Sequence, residues 1–235
     1  ISEIKKQNDI IVKSTFLGAH AFPREFINNK KEYIDLIVNR MIPEYNEAQL
    51  IDFIDVFCEK GYFEIEQSES VLSKAQELGI KAKIHVNQFN SFGGIELALK
   101  YDALSVDHLE VLTEQDLSKL KKGSTMPVAL PTCSYFLGIN YAPGRKIIDN
   151  GLPLAIASDF NPGSSPSGNM NFVVSTACIK MKLTAEEAIN AATINGAYAM
   201  GISDKVGSIT EGKVANLIIT KDINSINEIP YSFGS

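Results

Sequence analysis

The chain has 235 residues, 45% hydrophobic and 21% charged, with 28 acidic against 22 basic side chains and a formal net charge of −6. That length accommodates one large domain with a substantial core, and the acidic balance argues against a nucleic-acid partner, which needs a basic face. No apolar run approaches the ~20 residues that cross a bilayer; the three scattered cysteines, Cys58, Cys133 and Cys178, include no CxxC pair and fit a reducing, cytoplasmic setting.

The chain opens in a charged, helix-like stretch, "ISEIKKQND". "IVKSTFLGAH" (11–20) reads as a strand, and 30–41 as a helix with Ile34, Ile37, Val38 and Met41 on one face, stopped by Pro43. A strand ends "LIDFIDVFCE" (50–59), and a helix runs from Ser68, its expected N-cap, to Gly79. "KAKIHV" (81–86) is the next strand, and the helix after it turns Ile95, Ala98 and Leu99 inward. "ALSVDHLEV" (103–111) is a strand; Thr113 and Asp116 open a helix carrying Leu117 and Leu120. "TMPVALP" (125–131) and "LPLAIAS" (152–158) are further strands, with a helix between them that starts near Pro143 and ends before Gly151. Thr184 and Glu187 cap a single helix that ends at Gly201. "VGSITEGKVANLIIT" reads as two short strands joined by a turn at Glu211 and Gly212, too few to be stable alone. "IPYSFGS" closes the chain as a loop, and because Ile1 is not a methionine, we expect a piece of a longer protein.

Strands and helices alternate six times without a hairpin signal between them, which predicts a parallel sheet. A (β/α)8 barrel and an open doubly wound sheet share that periodicity, although no GxGxxG follows a strand. His20, Glu59, His85, His108, Thr132 and Asp159 all fall at or just after the C-terminal end of a strand, the active-site edge of a barrel.

The chain's three histidines, His20, His85 and His108, all lie on that edge. One such histidine is commonly a hydrogen-bonded structural residue. Three with the mouth carboxylate Asp159 make an imidazole-and-carboxylate set suited to zinc or iron. Glu59 reads as a structural buttress, and Gln88, three beyond His85, as a substrate contact. In "NPGSS" the Asn161 amide, the N–H groups of Gly163 and Ser164 and a serine hydroxyl suit a substrate carboxylate; the bland alternative is a tight serine-rich turn. Cys58 and Cys133 read as core residues.

"TFLGAHAFP", "DVFCEKGYF", "KIHVNQF", "GGIELALKYDALSVDHLE" and "SDFNPGSSP" resemble the imidazolonepropionase family of the amidohydrolase superfamily along nearly the whole chain. "GSITEGKVANLIIT" is similar to that superfamily's closing β unit. The resemblance implies a (β/α)8 barrel over 1–203 and part of a small composite β domain over 204–235. It also implies a homodimer and one divalent ion, zinc or iron, used to open 4-imidazolone-5-propanoate to N-formimidoyl-L-glutamate in histidine degradation. By motif, His85 and Asp159 are metal ligands and His108 sits beside the reacting carbonyl or water. Asp159 is the proton carrier, and His20, Gln88, Asn161, Gly163 and Ser164 contact substrate.

The sequence departs from the family in three places. Gln88 stands where the family often has Glu, so we expect binding rather than base chemistry from it. Asn216 replaces a usual Asp at a structural position. The first strand's H-x-H, with an arginine and a tyrosine that follow it, does not occur, so we expect this piece to be inactive alone. Another cyclic amidohydrolase, or a non-catalytic truncated subunit, remain the alternatives.

Overall fold

The computed structural model describes residues 1–7 and 10–234. Ser2–Gln7 forms the opening helix, and the expected continuation through Asn8 and Asp9 lies outside the described residues, as does the last residue of the closing loop. Six strands hydrogen-bond in chain order: β1 (Thr15–Ala19), β2 (Phe53–Cys58), β3 (Lys81–Val86), β4 (Ser105–His108), β5 (Met126–Ala129) and β6 (Ala155–Ile156). The β1–β2, β2–β3 and β5–β6 pairs are parallel, and each strand leads into a helix, as the alternation predicts. Every residue of β4 and β5 is buried, the polar Ser105, Asp107 and His108 of β4 included, as in a parallel sheet covered on both faces. The chain forms two compact units, Ile1–Val106 and Asp107–Ser235.

In the first unit, Ile54, Val56, Ile84 and Val86 of the sheet are fully buried, as are Val71 and Ile95 of the helices Ile65–Glu77 and Gly94–Lys100. Each such aliphatic side chain contributes about 1.5–3 kcal/mol. Gly94 lets its helix come this close: a Cβ there would stand 2.8 Å from Val86 Cγ1. Leu97 is buried beside Ile95 and Ala98, while Leu99 is only half-buried.

Pro43 does not stop the preceding helix. Lys30–Leu36 is α-helical, Ile37–Met41 widens into a π-helical turn, and a further helix, Ile42–Glu47, takes Pro43 in its first turn. A proline at that position lacks an N–H and crowds the carbonyl four residues back, and the wider turn relieves both conflicts. Ser68 is not an N-cap either. Glu64 caps the helix, its N–H donating to Gln67 Oε1 at 3.0 Å, and the Ser68 hydroxyl instead donates to the Phe63 carbonyl at 3.2 Å.

In the second unit, Met126, Val128, Leu130, Cys133, Ala155 and Ala199 form a core cluster. The Thr113–Asp116 capping box forms as expected and buries Leu117 and Leu120. The β5 run stops at Ala129, because Pro131 opens a helix, Pro131–Leu137, whose first turn tolerates proline. Met170–Met181 is a helix with no counterpart among the expected elements; its apolar residues surround the axis, leaving no amphipathic stripe to read.

The helix expected from Thr184 to Gly201 is two, Ala185–Ala192 and Ile194–Ala199. The break falls at Thr193, whose hydroxyl donates back to the Ile189 carbonyl at 2.7 Å, a bond that bends helices. The two strands expected within 206–220 are also absent among the described residues, where Ile218 and Ile219 are 93% and 94% exposed. A strand needs a hydrogen-bonded neighbour, and the Lys205–Val214 backbone bond is too little to make a ladder.

Candidate active site

Strand register builds a cluster in the first unit. Asp55 lies opposite Lys83 and Phe57 opposite His85 across β2 and β3, so these four side chains share one face of the sheet. His20 follows the last residue of β1. The His85 Nδ1–H donates to Asp55 Oδ1 at 3.0 Å, and the His20 ring meets the His85 ring edge-on with centroids 4.9 Å apart. One donor atom from each of His20, Asp55 and His85 lies within 4.8 Å of the others, the one such trio of potential metal donors among the described residues. Asp55 is buried. Burial by itself pushes its carboxyl up, but the His85 imidazole and its hydrogen bond, helped by His20 and Lys83, hold it below the ordinary carboxylate range.

This cluster is supported from behind. The Tyr33 hydroxyl donates to the Gly18 carbonyl at 2.9 Å, two residues before His20, and Phe22 stacks on Phe63 with centroids 4.4 Å apart. Glu59, fully buried past β2, accepts from the Phe89 N–H at 3.0 Å, the Asn90 N–H at 3.3 Å and the Asn90 side chain at 2.9 Å. It therefore pins the loop that carries Gln88, which is itself buried. The buttress reading of Glu59 matches this geometry. Cys58 is fully buried, its thiol pushed up to about 11 chiefly by burial, as a core residue's would be.

The second unit holds its candidates on turns. His108 ends β4 with φ +88°, followed by Leu109 at φ +67°, and Asp159 has φ +50°. Such values are uncommon for residues with a side chain and must be held by the surroundings. Asn161 holds the Asp159 loop. Its Oδ1 accepts from the N–H groups of Gly163 at 2.9 Å and Ser164 at 2.8 Å, and its Nδ2 donates to the Asp159 carbonyl at 2.7 Å. The donors expected to receive a substrate carboxylate are thus taken up by the turn itself. Ser164 Oγ lies 3.4 Å from Asp159 Oδ2.

Thr132 sits in the helix after β5 and donates to the Ser158 carbonyl at 2.9 Å, steadying the residue before Asp159. Cys133 is buried, and burial first, then the Asp159 carboxylate, push its thiol up to about 12.

Within the first unit the structure groups His20 with His85, and within the second it groups Asp159 with Asn161, Gly163 and Ser164. Three residues escaped the sequence reading: Asp55, and the buried pair Glu110 and Ser134, whose hydroxyl donates to Glu110 Oε1 at 3.0 Å. Asp55 had a signal, an acid inside the apolar run "FIDVF", where only a partnered carboxylate is tolerated. Ser134 had none.

Comparison with known proteins agrees with this architecture. Residues 64–233 match the Amidohydrolase family model. The chain is similar over its whole length to imidazolonepropionases of Flavobacterium johnsoniae, at 61% identity, and Christiangramia forsetii, at 59%, covering 57% of each of those proteins. The imidazolonepropionase of Caldanaerobacter subterraneus is 40% identical and is covered over 56% of its length. The chain thus spans little more than half the length of these curated relatives. Among solved structures, a zinc-bound adenosine deaminase from Xanthomonas campestris superposes with a TM-score of 0.68 at 20% identity, over 91% of this chain and 53% of that one. A Xaa-Pro dipeptidase gives 0.65 at 18%, over 91% and 63%. With the strand order, the strand-end histidines and the family match all in register along one sequence, the chain belongs to the amidohydrolase family.

Proposed function

We propose that the full-length protein is an imidazolonepropionase. It hydrolyses the cyclic amide of 4-imidazolone-5-propanoate to N-formimidoyl-L-glutamate. The carrying observation is the His20–Asp55–His85 cluster on β1–β3, in a chain 61% identical to one such enzyme.

A histidine and a carboxylate suit a divalent ion of the zinc or iron type, and Asp55 and His20 each bring a donor atom within 4.8 Å of one on His85. When bound, such an ion lowers the pKa of water and polarises a carbonyl. His85 and Asp159 are the ligands by motif. Asp55 keeps the proton on His85 Nδ1, which makes Nε2 the coordinating atom. Asp159 accepts the proton of the attacking water, whose oxygen joins the ring carbonyl carbon, and delivers it to the ring nitrogen as the C–N bond breaks. His108 sits beside the attacking water and shares the base role with Asp159, its Nε2 accepting a hydrogen bond from that water.

His20 and Gln88 contact the imidazolone ring, with Gln88 able both to donate and to accept. The substrate's propanoate takes the place of Asn161 Oδ1 as the acceptor for the Gly163 and Ser164 N–H groups. Residues 204–235 belong to a small β domain whose strands form only on pairing, the rest of the chain to the barrel. A cytoplasmic homodimer completes the reading.

The test is to assay the full-length protein for N-formimidoyl-L-glutamate production and to measure bound zinc and iron, with His85→Ala in parallel. The expected result is product from the wild type, and loss of both metal and turnover in the variant. Absence of product from a metal-loaded, folded wild type overturns the substrate; full metal content in His85→Ala overturns the metal role.

A further inference from the structure

Glu110 is a buried acid that the proposed chemistry leaves unused. Only 2% of its side chain is exposed, and it lies two residues past His108, beyond the consecutive left-handed turns at His108 and Leu109. Its Oε1 accepts from the Ser134 hydroxyl at 3.0 Å and lies 3.4 Å from His108 Nδ1; its Oε2 is buried without a hydrogen-bond partner among the described residues. Ser134 is itself 1% exposed, and Leu109 is fully buried. All three polar groups belong to the second unit.

Removing a carboxylate from water is costly, and one hydroxyl partner does not recover that. The left-handed backbone at His108 and Leu109 adds a further cost. A core that needed only to be filled would place an apolar residue here. What the arrangement achieves is a fixed imidazole: the carboxylate faces Nδ1 of His108, the serine locks the carboxylate, and the buried leucine locks the turn.

We infer that Glu110 is a positioning residue for His108, holding the proton on Nδ1 so that Nε2 is the ring atom presented to the reaction, with Ser134 fixing Glu110 in turn. The logic is that of a base oriented by a buried acid. In the unreacted site the Nδ1 contact is long, as such bonds commonly are before substrate tightens them. This inference rests on the proposed role of His108, and the experiment separates the two.

Full-length wild type, Glu110→Gln, Ser134→Ala, His108→Ala and the double variant Glu110→Gln/His108→Ala are compared in kcat and KM on 4-imidazolone-5-propanoate. Folding is checked by circular dichroism. Glu110→Gln is expected to lower kcat by about 100-fold while KM moves less than about threefold, and Ser134→Ala to act in the same direction more weakly. In the His108→Ala background, Glu110→Gln is expected to cost nothing further, because the group it positions is gone.

Additive losses in the double variant, or an unchanged kcat in Glu110→Gln, overturn the inference. An unchanged kcat in His108→Ala overturns the role of His108 itself. Should Glu110→Gln fail to fold, the cycle of Ser134→Ala with His108→Ala carries the same test, additive losses again overturning it.

Discussion

The two units prepare their polar residues by opposite means. In the first, Asp55 and His85 stand inside β2 and β3, and strand register alone brings them to 3.0 Å. In the second, His108 and Asp159 stand on left-handed backbone, and side-chain bonds from Glu110 and Asn161 surround them. A pair set by a sheet survives the loss of any one side chain as geometry, and fails only in its chemistry. A residue set by a turn loses its place when the turn loses its bonds. The same kind of substitution should therefore act through binding in one unit and through local order in the other.

The largest effect expected from this contrast is on metal affinity. Asp55→Asn keeps the strand and its register but removes the carboxylate from His85 Nδ1. In the full-length protein, metal affinity measured by chelator competition should fall about 10- to 100-fold, with the circular dichroism spectrum unchanged. A spectrum that collapses together with the affinity would erase the contrast.

Asn161→Ala should show the opposite signature. It deletes the acceptor for the Gly163 and Ser164 N–H groups and the donor to the Asp159 carbonyl. Each lost bond is worth about 0.5–1.5 kcal/mol, so we expect faster proteolytic nicking within 159–165 and metal affinity reduced less than in Asp55→Asn. Nicking at the wild-type rate would show that the turn is held by its backbone alone.

The smallest effect lies at the opposite end of the first unit's strands. Asp52 accepts from the Ser14 N–H at 2.7 Å and the Lys5 ammonium at 2.6 Å. Burial raises its carboxyl, but those bonds, with Lys13, bring it well below the usual range. A carboxyl lowered by folding stabilises the fold above its unfolded pKa, about 4, and that contribution drains away as pH falls toward the depressed folded value. Thermal denaturation of Asp52→Asn should show a lower Tm than wild type at pH 7 and a shrinking difference below about pH 4. A difference that grows with acid would reverse the sign and remove the ion pair from the account.

Local pattern foretold six strands in chain order and which polar residues stand at or near their ends. Apolar runs separated by capped helices carry that information locally, as at Thr113–Asp116 and Gly79, and β3 forms over the residues expected, Lys81–Val86. His20, Glu59, His85 and His108 were legible for the same reason, since position relative to a strand end is a local property. Where two local preferences competed, the reading went astray. Pro43 was absorbed by a wider turn, and Thr193 cut one predicted helix into two.

The partners of the buried polar groups were set by packing at long range. Nothing local links Asp55 to His85, thirty residues apart, or Glu110 to Ser134, twenty-four apart. Strand pairing set the first contact, and the packing of the helix after β5 set the second. Packing also left 215–220 without a strand among the described residues. Hydrogen bonds of these kinds depend on where other segments arrive, and a one-dimensional pattern of polarity records how buried a residue wishes to be, not whom it will meet.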